Sequence, residues 1–230
     1  MSRLAENITR VQENIRRAAA KQNKSSDDIT LIAVTKTFPA TVINEAIRLG
    51  IRHIGENRIQ EARLKLPEVD RSATRHFIGY LQRNKVKYAV KLFDMIQSID
   101  NISLAEELNA RSAKLERQMP VLIEVNTSGE DSKFGCQPRE ALTLLKAVDR
   151  LPRLSARGFM TIALYSEDPE KVRPCFKQLK GIFDEAQTFR LGNANISTLS
   201  MGMSSDYEIA IEEGANMVRI GTAIFGERED

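Results

Sequence analysis

The sequence offers only two thiols. Cys136 and Cys175 stand far apart, with neither a pairing pattern nor a metal-type spacing, so a reduced cytoplasmic setting and no metal site are expected. No apolar run approaches the roughly 18 residues that a membrane-spanning helix needs, and the polar N-terminal segment does not resemble a signal peptide. There is little excess charge: 34 basic residues against 31 acidic ones leave a net +3, without the concentrated basic stripe of a nucleic-acid-binding domain. Also missing are G-x-G-x-x-G and G-x-x-x-x-G-K-[ST], the glycine-rich turns that announce an open doubly wound sheet or a P-loop.

What is present is a repeating unit. Residues 3–22 place Leu4, Ile8, Val11, Ile15 and Ala18 on one helical face. Eight short β-branched runs then follow, each except the last succeeded by a helical pattern: near 30–36, 53–55, 75–78, 95–99, 120–126, 154–162, 196–200 and 217–220. Only a short tail is expected after the eighth. In a chain of 230 residues this predicts a single-domain (β/α)8 barrel spanning 1–230, an α/β fold with the first helix packed on the barrel.

Such a barrel carries its site at the carboxyl ends of the strands. The residues found there are Lys36, Asn57, Gly79, Asn126, Met160, the run Ser200-Met201-Gly202-Met203-Ser204-Ser205-Asp206, and Arg219-Ile220-Gly221-Thr222. Lys36 continues the face of Ile32 and Val34, and two readings stay open: a rim lysine, or a desolvated amine. The loops after strands 7 and 8 suit a phosphate cradle from Ser200, Gly202, Ser204, Gly221 and Thr222, although Ser204 or Ser205 alone could be a helix cap and Gly221 a turn. Arg219 shares a strand face with Met217 and Gly221, and Glu124 is a candidate counter-charge. A phosphate site, an amine and a fixed cation together point to a phosphorylated aldehyde such as pyridoxal 5′-phosphate.

Motifs along nearly the whole chain resemble one family. Ala33-Val34-Thr35-Lys36, Gly55-Glu56-Asn57, His76-Phe77-Ile78-Gly79, Arg157-Gly158-Phe159-Met160, Leu199-Ser200-Met201-Gly202-Met203-Ser204 and Val218-Arg219-Ile220-Gly221-Thr222 are similar to the YggS/PROSC family, the pyridoxal phosphate homeostasis proteins. The resemblance implies a barrel like the N-terminal domain of alanine racemase, a fold-type III pyridoxal phosphate enzyme. By resemblance, Lys36 is the Schiff-base lysine, Arg219 the partner of the pyridine nitrogen, and Ser200, Gly221 and Thr222 the phosphate ligands. Asn57 and Met160 would lie near the ring, with Met201 and Gly202 as further candidates. His76 would either orient neighbours or be a satisfied core histidine, and Lys133 would carry cofactor in a second mode. The chain departs from the family's commonest form at Phe134, Cys136 and Ala163.

The implied role is regulation or carriage of intracellular pyridoxal phosphate, with effects on amino-acid and keto-acid balance, rather than catalysis. Apoenzymes would receive the cofactor, and a monomer is expected because the racemase's second domain and its dimer contact have no counterpart. The alternative is a racemase or lyase of fold-type III, with Tyr80 or Tyr165 as the external base. The basic run Arg83, Lys85, Lys87, Lys91 reads as a solvated helix face before it reads as a scaffold surface, and neither nucleic acid nor membrane is expected as a partner.

Overall fold

Eight parallel strands close on themselves in chain order: β1 (Thr30–Val34), β2 (His53–Glu56), β3 (Thr74–Phe77), β4 (Met95–Ile99), β5 (Met119–Glu124), β6 (Leu154–Met160), β7 (Thr198–Ser200) and β8 (Met217–Ile220). This is seen in a computed structural model, which describes residues 2–166 and 168–227. Between the strands run α2 (Ala40–Arg48), α3 (Ile59–Lys65), α4 (Val86–Leu92), α5 (Ile102–Lys114), α6 (Ala141–Asp149), α7 (Arg173–Gln187) and α8 (Tyr207–Glu212). Ahead of β1 lies α1 (Arg3–Lys21), and the turn α9 (Thr222–Phe225) follows β8.

The predicted barrel and its eight strands are therefore present. Differences lie at the ends. The sixth strand stops at Met160, the seventh begins only at Thr198, and α6 and α7 are each preceded by a 3₁₀ turn, Pro138–Glu140 and Pro169–Val172. Proline at the first position of those turns has no N–H to place and a suitable φ, so it starts the turn before the regular helix.

Alternation along the strands sorts the core into two layers. Ala33, Ile54, Phe77, Ile96, Val121, Phe159, Leu199 and Val218 face outward and are buried against the helices in one continuous apolar cluster. Fully burying a side chain of this size contributes about 1.5–3 kcal/mol. Helix α1 joins that layer through the face read from the sequence, burying Ile8, Val11, Ile15 and Ala18. It packs on α8 and α9, with Asn7 Nδ2 donating to the Ile224 carbonyl at 2.9 Å. The final helix α9 has four residues, and α1 supplies the cover that a longer one would give there. Among the described residues no helix is long and apolar enough to cross a membrane, and no cluster of His, Cys, Asp or Glu could hold a metal ion.

Candidate functional site

The inner layer is not apolar throughout. His53, His76, Gln97, Glu124, Ser200 and Arg219 have the parity that faces the barrel axis, and all but the half-buried His53 are buried. Polar groups out of water are costly unless bonded, and five of these, all but Glu124, are joined end to end. Arg219 Nη1 donates to Ser200 Oγ at 2.7 Å, and Ser200 Oγ donates to Gln97 Oε1 at 2.8 Å. Gln97 Nε2 lies 3.1 Å from His76 Nδ1, and His76 Nε2 lies 3.0 Å from His53 Nδ1.

The direction of this chain follows from its first member. Arginine can only donate, so the single proton of Ser200 goes to the Gln97 oxygen, and the Gln97 amide then donates to His76. His76 therefore accepts at Nδ1 and carries its proton on Nε2, which it donates to His53. Burial, with the charge of His53 second, keeps His76 neutral by lowering its pKa to about 3. His76 thus has partners on both ring nitrogens and links to Arg219 through two side chains.

Arg219 is fixed from a second side, where Nη2 donates to the Thr161 carbonyl at 2.7 Å. Burial lowers its pKa to about 10, against the attraction of Glu124 and Asp206, so it stays a cation at neutral pH. Glu124 acts on Arg219 through its charge. Burial first, then the charge of Asp100, raise the Glu124 carboxyl to about 7, opposed by Arg219.

The predicted strand-end residues gather round one mouth. Lys36 stands two residues past β1 in a turn, half-buried, neither inside the strand nor out in solvent. Asn57 directly follows β2, and its Oδ1 is buried without a hydrogen-bond partner among the described residues. Gly79 presses against it: a Cβ at 79 would come within 2.3 Å of the Asn57 carbonyl oxygen, so only glycine fits. Met160, fully buried, sits in register between Glu124 and Ser200. The loops after β7 and β8 are tied by Ser204 Oγ, which accepts from Gly221 N and Ala223 N at 3.3 Å each. Gly202, at φ +93°, accepts the Arg219 N–H at 3.0 Å, and Gly221 lies beside Val34 at the end of β1. Thr222 is exposed at the start of α9.

Four of the candidates make contacts of their own. The Ser200 hydroxyl is fully buried between Gln97 and Arg219, whereas the Ser204 hydroxyl bridges the loops after β7 and β8. Met201 has outward parity and belongs to the layer under the helices. Asn126 organises its own loop, donating to the Glu130 and Lys133 carbonyls and accepting from Ser128 and Gly129. Lys133 Nζ bridges two loops, donating to the Ala163 carbonyl at 2.6 Å and pairing with Glu130 at 2.7 Å. Nearby, Tyr80 stacks on Phe134 with ring centroids 4.1 Å apart, while Tyr165 stands exposed.

Gln97 was not singled out from the sequence. Its signal is a lone amide in the apolar run Met-Ile-Gln-Ser-Ile, with the parity that faces the axis. Glu56, Glu61 and Lys65 were not singled out either, although Glu56 lies inside a quoted motif.

The chain matches the family described as alanine racemase, N-terminal domain, over residues 7–229. The pyridoxal phosphate homeostasis protein of Aquifex aeolicus is 43% identical over 225 residues, covering 97% of this chain and 98% of the relative. The structure of PipY from Synechococcus elongatus, with PLP bound, superposes with a TM-score of 0.81 at 33% identity, covering 97% of this chain and all of that one (100%). An alanine racemase from Clostridium difficile superposes at 0.74 with 15% identity, covering 99% of this chain and 60% of that one, which speaks for the fold alone. With full-length identity of this order, the barrel topology and the motif order agreeing, the chain belongs to the pyridoxal phosphate homeostasis protein family.

Proposed function

We propose that this protein binds pyridoxal 5′-phosphate at the carboxyl-end mouth of its barrel and holds or carries it as part of vitamin B6 homeostasis. The observation that supports this most is the joining of three unlike groups round one mouth. These are a buried cation at Arg219, the Lys36 turn, and the Ser204-bridged loops with Gly221 and Thr222. The donor set fits the cofactor. Hydroxyls and backbone N–H groups suit a phosphate, and the orphaned Asn57 Oδ1 is an acceptor with capacity to spare. Bound there, the cofactor supplies an aldehyde that an amine captures reversibly with loss of water, and a ring that can accept electrons.

Lys36 supplies the amine in this reading, and Met160 and Asn57 flank the ring. Arg219 would meet the ring nitrogen as a permanent cation and donor, which would favour the unprotonated nitrogen and so a weak electron sink. That favours holding over turnover, and apoenzymes that need the cofactor are the partners that fit such a role. The racemase or lyase reading has less support, since the Tyr80 ring is stacked on Phe134.

The test is to load the purified protein, reduce it with borohydride and map the labelled peptide. Label on Lys36, lost in Lys36→Ala with the barrel still folded, is the expected result. Label found mainly on Lys133 would overturn the assignment.

A further inference from the structure

Behind the Lys36 turn, on the helix side of the sheet, lies a buried ionic group that the site so far does not use. Lys65, at the end of α3, is 9% exposed. Its Nζ donates to the Thr35 carbonyl at 2.8 Å and pairs with Glu61 at 2.7 Å and Glu56 at 2.8 Å. The Thr35 hydroxyl donates to the same Glu56 oxygen at 2.5 Å. On the far side of Lys36, the Thr37 backbone N–H donates to Glu61 Oε1 at 2.5 Å. Both neighbours of Lys36 are thus bonded to one cluster.

Two further observations make this more than a helix anchor. One ammonium is met by two carboxylates, where a single pair would balance it at less desolvation cost; the second carboxylate is the one that reaches Thr37. Thr37 also has φ +73°, a left-handed conformation that a β-branched residue strongly disfavours. Such a residue persists only where its surroundings over-determine it, and here the Glu61 bond adds to the Phe38 N–H bond to the Thr35 carbonyl that closes the turn. The oppositely acting influences on Glu61 agree: burial raises its pKa, but the bonds from Lys65 and Thr37 outweigh that and leave it lowered.

We propose that Glu61 and Lys65 are positioning residues that lock the Thr35–Thr37 turn and so fix the approach of Lys36 to the barrel mouth. This deepens the proposed function and rests on it, because it takes Lys36 as the capturing amine. An amine held in a near-attack position reacts faster without binding the rest of the ligand more tightly.

Glu61 is half-buried on a helix surface, so Glu61→Ala removes both its bonds with little loss of core. The probes are pyridoxal 5′-phosphate and pyridoxamine 5′-phosphate, which share ring and phosphate but differ in the aldehyde. Glu61→Ala should slow borohydride-fixable attachment at Lys36 by about tenfold or more while leaving pyridoxamine phosphate affinity within about twofold. Glu61→Gln, which keeps an oxygen for the Thr37 N–H, should recover most of the rate. Attachment at the parent rate in Glu61→Ala would overturn the proposal, and so would a parallel loss of affinity for both probes, which marks general loosening. No label on Lys36 in the parent protein would instead remove the functional reading, and the positioning role with it.

Discussion

Ser200 Oγ takes the hydrogen bond of Arg219 Nη1 at 2.7 Å inside a barrel where both side chains are shut off from water. The bond satisfies a cation that has few alternatives there. Ser200→Ala strands that donor and the Gln97 acceptor, a cost of roughly 1.5–3 kcal/mol. At about 2–4 °C per kcal/mol for a chain of this size, the melting temperature should drop by several degrees. Cofactor phosphate recognition should be almost unchanged, since the hydroxyl lies below the loops. A variant that melts like the parent but no longer prefers the phosphorylated ligand would return Ser200 to the cradle.

The cradle itself is tested at Ser204 and Thr222. If these loops hold the phosphate, pyridoxal should bind far more weakly than its phosphate ester. Thr222→Val and Ser204→Ala should each narrow that gap by about ten- to a hundredfold, the worth of one hydrogen bond to a charged group. Titrations of both ligands into parent and variants give the comparison. Equal affinities in the parent would refute the cradle.

Lys133 makes a different kind of prediction. Its bonds to the Ala163 carbonyl and Glu130 tie the loop after β5 to the loop after β6 at the surface. Exposed pairs of this sort contribute about 0–1 kcal/mol, so Lys133→Ala should barely move the melting temperature. Amide exchange should rise in both loops together, and cofactor should remain attached at Lys36. Loss of cofactor in this variant, with exchange unaltered, would mean that Lys133 carries it.

What the sequence disclosed follows from what is periodic in it. The strand–helix alternation gave the barrel, and strand parity placed Arg219 inward and Lys36 at the mouth, because those are local facts of spacing. Ser200 is harder to read for the same reason. Its position in a Ser-Met-Gly-Met-Ser run looks identical to that of Ser204 until the strand end is known, and the end falls between them. The Arg219–Ser200–Gln97–His76 chain joins four strands, and the bonds from α3 to Thr35 and Thr37 span 24 to 30 residues. Contacts between groups so far apart in the chain are set by tertiary packing and leave no periodic pattern in a single sequence.

The last prediction uses two interior groups whose protonation runs in opposite directions. Burial keeps His76 neutral in the folded protein down to about 3, while an unfolded histidine takes up its proton near 6.5. Between those values the unfolded chain binds more protons, so stability rises with pH at roughly 1.4 kcal/mol per unit and is lost as pH falls. Glu124 does the reverse: its carboxyl stays protonated in the fold up to about 7, against 4.5 ordinarily. Across that window the folded protein holds the extra proton, and stability is lost as pH rises, with a similar slope. Where the two windows overlap the two slopes oppose each other, so from about pH 5 to 6 the stability of the cofactor-free parent should run between those of variants that lack one group or the other. His76→Gln removes the first slope and should lose about 1–2 kcal/mol relative to the parent over that interval as pH rises. Glu124→Gln removes the second and should gain a similar amount. Urea unfolding midpoints at several pH values measure all three. If both variants follow the parent across that interval, the neutral histidine and the protonated glutamate are not the opposing pair inside this barrel.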